Sequence, residues 1–260
     1  MTASILAVCN QKGGVGKTTT TYHLARAGVR AGKRVLIIDL DPQGTLTTIA
    51  AREEVPEDSV GIADVLSTRG REALADVIVP GVWDGLDVAP TVGEGLGVVR
   101  DELVVAGPGR EARLRDALAG SLERYDLILL DCPPSLDQLT INGLVAADGV
   151  VIVTQSKQAS INGLVKLHET IDTVRRHYHR ELKIAGVLVN QHEHNTVSGQ
   201  SWLEELRAAM SIVEPPIPKA VVLSDSAEAS VGLDEYGSRV ANRLAESFDD
   251  YLTALEEAVR

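Results

Sequence analysis

Residues 11–20 read QKGGVGKTTT, and their types and order fit the binding of phosphate. Gly13, Gly14 and Gly16 let the backbone turn tightly and aim successive N–H groups inward. Lys17 at this spacing can reach the outer phosphates of a nucleotide, and the Thr18 hydroxyl can hold Mg2+. With Val15 and Thr19 they make the closing part of the G-x-x-x-x-G-K-[ST] phosphate loop. The opening part differs. Gln11 stands where the pattern has glycine, and Lys12 follows it, a second cation at the mouth of a loop built from backbone amides.

Carboxylates at strand ends supply the rest of such a site. LILLD ends in Asp131, where a carboxylate can hold Mg2+, often through water. VLIIDLDPQG places Asp39 and Asp41 at the end of another apolar run. A lone aspartate there is more often a helix cap. In an open α/β sheet, however, ligands sit outside the carboxyl ends of the strands, so the three aspartates and the loop point at one crevice.

The elements that must position these groups are legible in the apolar pattern. Residues 4–10, 34–41, 86–90, 125–134, 149–155 and 183–191 read as buried strands. Residues 17–31, 138–147, 159–180 and 199–210 carry helical spacing between them. Strand–helix alternation predicts an α/β fold, a mostly parallel sheet with helices on both faces. Residues 51–120, richer in Gly, Pro and charge, read as an insertion of short helices on one edge. The tail 238–259 places Val240, Leu244, Phe248, Leu252, Leu255 and Val259 on one helical face.

Composition bounds the class. Hydrophobic residues make up 44% of the 260 residues, enough for a sizeable core, and aromatics only 3%. The net charge of −12 excludes a surface given over wholly to nucleic acid, so any DNA contact must be a local patch. Cys9 and Cys132 lie in apolar stretches and read as reduced, buried thiols. No apolar run approaches the roughly 18 residues of a membrane span.

Together, KGGVGKTT, DLDPQG and DCPPS resemble the deviant Walker A group of P-loop ATPases, and within it the ParA/Soj branch. GVLVNQ (186–191) and PPIPKAVVLSDS (215–226) resemble that family's late nucleotide-base segments, and the likeness runs nearly the whole chain. It implies a P-loop NTPase fold, ATP and Mg2+ as cofactors, and ATP hydrolysis. No repeat or linker divides the chain, so a single ParA-like domain over 1–260 is expected, and Lys17 lies too near the start to expect an upstream DNA-reading domain. The resemblance also implies an ATP-dependent homodimer in which Lys12 crosses the interface to phosphates held by the other subunit. Lys17 then neutralises phosphate within its own loop. Asp41 positions or activates the attacking water, and Thr18, Asp41 and Asp131 attend the metal. Asn190 and Pro218 line the adenine pocket. ParA-like proteins alternate between a DNA-bound dimer and a released monomer, and a ParB-type partner stimulates hydrolysis. Plasmid or chromosome DNA is moved as a result. Such a protein is expected in the cytoplasm, on the nucleoid if it binds DNA.

The DNA-binding step is where the sequence departs from that pattern. The segment after the late proline is PKAVVLSDSAEAS, in which only Lys219 is basic and Val222 stands where the family often has arginine. From Lys219 to Arg260 there are four Lys or Arg against nine Asp or Glu. The best basic cluster is RRHYHRELK, with Arg175, Arg176, Arg180 and Lys183 beside His177 and His179. It reads equally as a DNA patch and as a solvated helix end. Thr154 also replaces a proline usual in the family.

Three other readings share the loop. A relative could position a protein assembly instead of DNA. A MinD-like membrane-associated regulator would need a basic amphipathic C-terminal helix, whereas RLAESFDDYLTALEEAVR is acidic. An iron–sulfur reductase of the nitrogenase iron-protein type would need two exposed cysteines from each subunit.

Overall fold

Apolar runs bounded by polar residues become the strands of one sheet. The computed structural model describes residues 3–157 and 161–260. Its strands are β1 (Ser4–Cys9), β2 (Val35–Asp39), β3 (Val79–Pro80), β4 (Leu86–Ala89), β5 (Leu127–Asp131), β6 (Gly149–Thr154) and β7 (Lys183–Val189). They lie in the order β3-β4-β2-β5-β1-β6-β7. Every pairing is parallel except that of β3 with β4. The strand leading into the phosphate loop, β1, is therefore interior, between β5 and β6.

Side chains alternate across the sheet, as strand geometry requires. Ala7, Cys9, Ile38, Leu130 and Ile152 join one core cluster, and Leu6, Val8, Ile37, Leu129 and Val151 join the other. The second cluster is covered by α1 (Lys17–Arg30), α2 (Thr45–Ala50), α10 (Val221–Glu228) and α11 (Arg239–Val259). The first is covered by α3 (Ile62–Leu66), α4 (Leu74–Val77), α5 (Gly95–Val105), α6 (Arg113–Leu118), α7 (Gln138–Ala146), α8 (Ile161–His177) and α9 (Val197–Ala209). This is the expected P-loop NTPase architecture.

Four expectations needed adjustment. The stretch 51–120 is more than an edge insertion of helices: β3 and β4 extend the sheet, and α3 to α6 cover one face of it. Asn142 of α7 ties that region down, donating to the Arg110 carbonyl at 2.8 Å and accepting from Leu114 N at 3.2 Å. The helix expected over 159–180 ends at His177, where Tyr178 N and His179 N both return to the Val174 carbonyl. Its residues 159 and 160 lie outside the described residues. Residues 221–228 form a helix where the sequence pattern predicts none. In α11, Val240 is 45% exposed because Ala241 takes the buried position of the first turn.

The face covered by α1 and α11 holds a buried base. His23 is 2% exposed, with Nε2 donating to the Leu223 carbonyl at 3.0 Å and its ring 5.0 Å from that of Phe248. Burial pushes its pKa down from 6.5 to about 4. Between those pH values the unfolded chain holds a proton that the folded chain refuses. Stability is therefore expected to be full above pH 6.5 and to fall as pH drops towards 4. The contribution reaches about 3 kcal/mol. Denaturant melts of wild type and His23→Leu across this range test it: the variant should show a shallower pH slope.

Candidate functional site

The loop closes because its glycines adopt backbone that other residues resist. Gly14 and Gly16 have φ of 73° and 90°. A Cβ on Gly16 would also collide with Nδ2 of Asn190, so this position requires glycine on two counts. Gly16 then caps α1, whose N-terminal amides and dipole favour an anion. Lys17 is 7% exposed, and its Nζ lies 3.5 Å from the Lys12 carbonyl. Thr18 and Thr19 are partly buried in the first turn.

Beside the loop the strand ends converge. Asp39 and Asp131 are register partners on β2 and β5. Asp131 is 1% exposed, and its Oδ1 accepts from the Thr21 hydroxyl at 3.2 Å. Burial, then the charge of Asp39, push its pKa up to about 8, against the pull of Thr18 and Lys17. Its Oδ2 is buried with no protein partner. An orphaned carboxylate oxygen next to a threonine-rich helix start, among other carboxylates, fits a divalent cation, with Thr18 and Asp131 as holders and Asp41 nearby.

Asp39 plays a different part from its neighbour. It is fully buried and accepts from Asp41 N at 3.2 Å and from Thr47 N and Oγ1, both at 2.8 Å. Thr47 Oγ1 in turn accepts from Thr91 N at 2.9 Å, and Thr91 Oγ1 donates to the Asp39 carbonyl at 2.7 Å. This network locks the ends of β2 and β4 to α2 and leaves Asp41 on a fixed turn, its Oδ1 accepting from Gln43 N at 3.0 Å. Burial pushes the Asp39 carboxyl up to about 6.

Asn190 lies against the loop itself. Its Nδ2 donates to the Val15 carbonyl at 2.8 Å, and its backbone N to the Thr154 carbonyl at 2.7 Å. Pro218 is partly buried beside His192, where residues after β7 run next to Ile217 and Pro218. Sequence reasoning missed Asn10, Gln155 and Gln191. Asn10 is 2% exposed, donates to the Val153 carbonyl at 2.7 Å and accepts from Lys12 N at 3.0 Å. The two glutamines lie over Gly14. All three stand just past a strand end, which is the signal that could have found them.

The basic cluster lies at the other end of the sheet, where Lys183 opens β7 opposite Gly149. Arg175 Nε donates to the Leu182 carbonyl at 2.8 Å and Lys183 Nζ to the Val259 carbonyl at 3.0 Å. Arg176 and Arg180 are exposed. Lys219 pairs with Glu193 at 2.8 Å. Among the described residues no three or more His, Cys, Asp and Glu gather as a metal site, and no helix is long and apolar enough to cross a membrane. Cys9 and Cys132, each 1% exposed, cannot be offered to a cluster shared between subunits.

A glycine-capped phosphate loop with an extra lysine, on an interior parallel strand flanked by a carboxylate-bearing one, defines a deviant Walker A P-loop ATPase. Residues 3–184 match the AAA_31 AAA-domain family. Soj, the sporulation initiation inhibitor of Bacillus subtilis, is 37% identical over 85% of this chain and 87% of its own length. The chromosome-partitioning ATPase Soj of Thermus thermophilus is 35% identical over 93% of each. The chain belongs to the ParA/Soj family. A structure of cobyrinic acid a,c-diamide synthase from Mycobacterium smegmatis with a bound ATP analog and magnesium superposes with a TM-score of 0.81. It is 30% identical and covers 96% of this chain and 93% of its own. A synthase by name on the same fold means that the fold does not choose the task.

Proposed function

We propose that this chain is a partitioning switch that binds Mg2+–ATP, pairs with a second copy, holds DNA without sequence preference and releases it on hydrolysis. The observation that carries the reading is Lys12. The loop already has its own lysine, Lys17, so a second cation at the mouth serves phosphates held elsewhere. In the dimer each Lys12 crosses to the nucleotide of the other copy. The contact exists only when both copies and a triphosphate are present, so ATP favours the dimer by mass action.

Within a subunit, the amides of Gly13 to Thr19 and Lys17 hold the phosphates, and Asn190 and Pro218 stand on the side of the base. Asp41 orients the attacking water from its fixed turn. Thr18 and Asp131 hold Mg2+, which when bound neutralises charge on the phosphate oxygens. A ParB-type protein would complete the cycle by stimulating hydrolysis, and plasmid or chromosome DNA would be the cargo. The similarity to Soj proteins, one of them named for chromosome partitioning, supports this cargo over a protein assembly. Arg176 and Arg180 are the exposed cations of the candidate DNA patch.

Retention of random-sequence DNA by the purified protein with ATP and with ADP, across a salt series, tests the reading. Binding with ATP alone, falling steeply with salt, is expected. Retention equal with both nucleotides, or absent with both, would turn the reading towards another cargo.

A further inference from the structure

Besides the contact of its carbonyl with Lys17, Lys12 is held at its backbone N–H and at its ammonium. Its backbone N–H donates to Asn10, and its Nζ lies 3.5 Å from Oε1 of Gln155. Gln155 is 6% exposed, so its amide must find partners inside the protein. Its Nε2 donates to Gln191 Oε1 at 2.6 Å and to the Gly14 carbonyl at 3.4 Å. Gln191 Nε2 donates to the same carbonyl at 3.3 Å. A carbonyl can only accept, so Gly14 fixes which end of each amide faces it. With its nitrogen so committed, Gln155 has only its oxygen left to face the cation.

Gln191 reaches this position at a cost. Its φ is 52°, and among the described residues only Ser230 shares a positive φ without being glycine. Such backbone persists where the surroundings enforce it, and it gathers at functional sites. Here it brings the Gln191 amide over Gly14 and against Gln155.

We propose that Gln155, oriented by Gln191, is a positioning residue that tethers Lys12 within its own subunit and so sets the triphosphate concentration at which two copies pair. This rests on the role of Lys12 between subunits. The tether competes with the contact across the dimer: the ammonium leaves one oxygen partner to gain another. A contact of 3.5 Å is long and weak, which suits a bond that must be given up. Its strength shifts the balance between the two arrangements without touching the nucleotide.

Sedimentation velocity across an AMPPNP titration tests this with substitutions of opposite sign. Gln155→Leu removes the tether and is expected to lower the half-dimerisation concentration about threefold; Gln155→Glu gives up the donations to Gly14 and Gln191 but sets a full negative charge beside the ammonium, and should raise it about tenfold. Gln191→Gly keeps the backbone conformation and removes the orienting amide, so it should move the half-point in the same direction as Gln155→Leu. If Gln155 merely props the loop, leucine and glutamate both raise the half-point; that result, or no shift from either, overturns the proposal. A Lys12→Ala arm separates the two ideas. Pairing of Lys12→Ala at the wild-type concentration removes the intersubunit role and this proposal with it. Loss of its pairing, with Gln155 variants that fail to diverge, removes the tether alone.

Discussion

Asp41→Ala is expected to bind ATP and leave it uncleaved, with turnover reduced about a hundredfold or more. The position explains why the loss should fall on chemistry and not on folding. The turn that carries Asp41 is held by Asp39, Thr47 and Thr91, whose hydrogen bonds at 2.7 to 2.9 Å do not involve the Asp41 side chain. Removing that side chain costs one local bond, to Gln43 N. Because phosphoryl transfer is mainly positioning and charge neutralisation, losing the group that orients water should act on the rate alone. Phosphate release and nucleotide affinity measured on the same preparation check it. Normal release would remove Asp41 from the role. Weakened nucleotide binding would place it in the pocket instead.

Lys12→Ala should split in the other sense. Nucleotide affinity of the single subunit is expected to stay close to wild type, because Lys17 and the loop amides remain. Turnover should fall with the dimer. A charge-assisted hydrogen bond is worth about 1.5–3 kcal/mol, and a symmetric pair loses two of them. The dimerisation constant should therefore drop by about two to four orders of magnitude. Raising the protein concentration should recover part of the activity, which a residue serving only its own loop would not allow. Fluorescent-nucleotide titration together with hydrolysis rates over a range of protein concentrations checks both halves.

Much of this site could be read from residue types alone, for physical reasons. The glycines, Lys17 and Thr18 declare themselves because phosphate binding needs small residues and a cation at fixed offsets. Strands β1, β2, β5 and β6 declare themselves because a sheet buried on both faces demands unbroken apolar runs. What stayed hidden depends on tertiary approach. Gln155 and Gln191 are 36 residues apart and meet only because β6 and β7 are neighbours. Asp39 looks like Asp41 in sequence; burial and Thr47 make one a structural strut and leave the other available. The cluster from Arg175 to Lys183 gave no hint that its members cap carbonyls at the far end of the sheet from the loop. Helix α10 is not legible in the sequence because its eight residues are too few for a clear period.

On this mechanism a triphosphate joins two copies through Lys12. Sedimentation equilibrium of wild type and Lys12→Ala, each with AMPPNP and with ADP, addresses it most directly. Wild type should double its mass with AMPPNP and not with ADP, and Lys12→Ala should remain single with both. A wild type that stays single with AMPPNP, or a Lys12→Ala protein that pairs as wild type does, would contradict it.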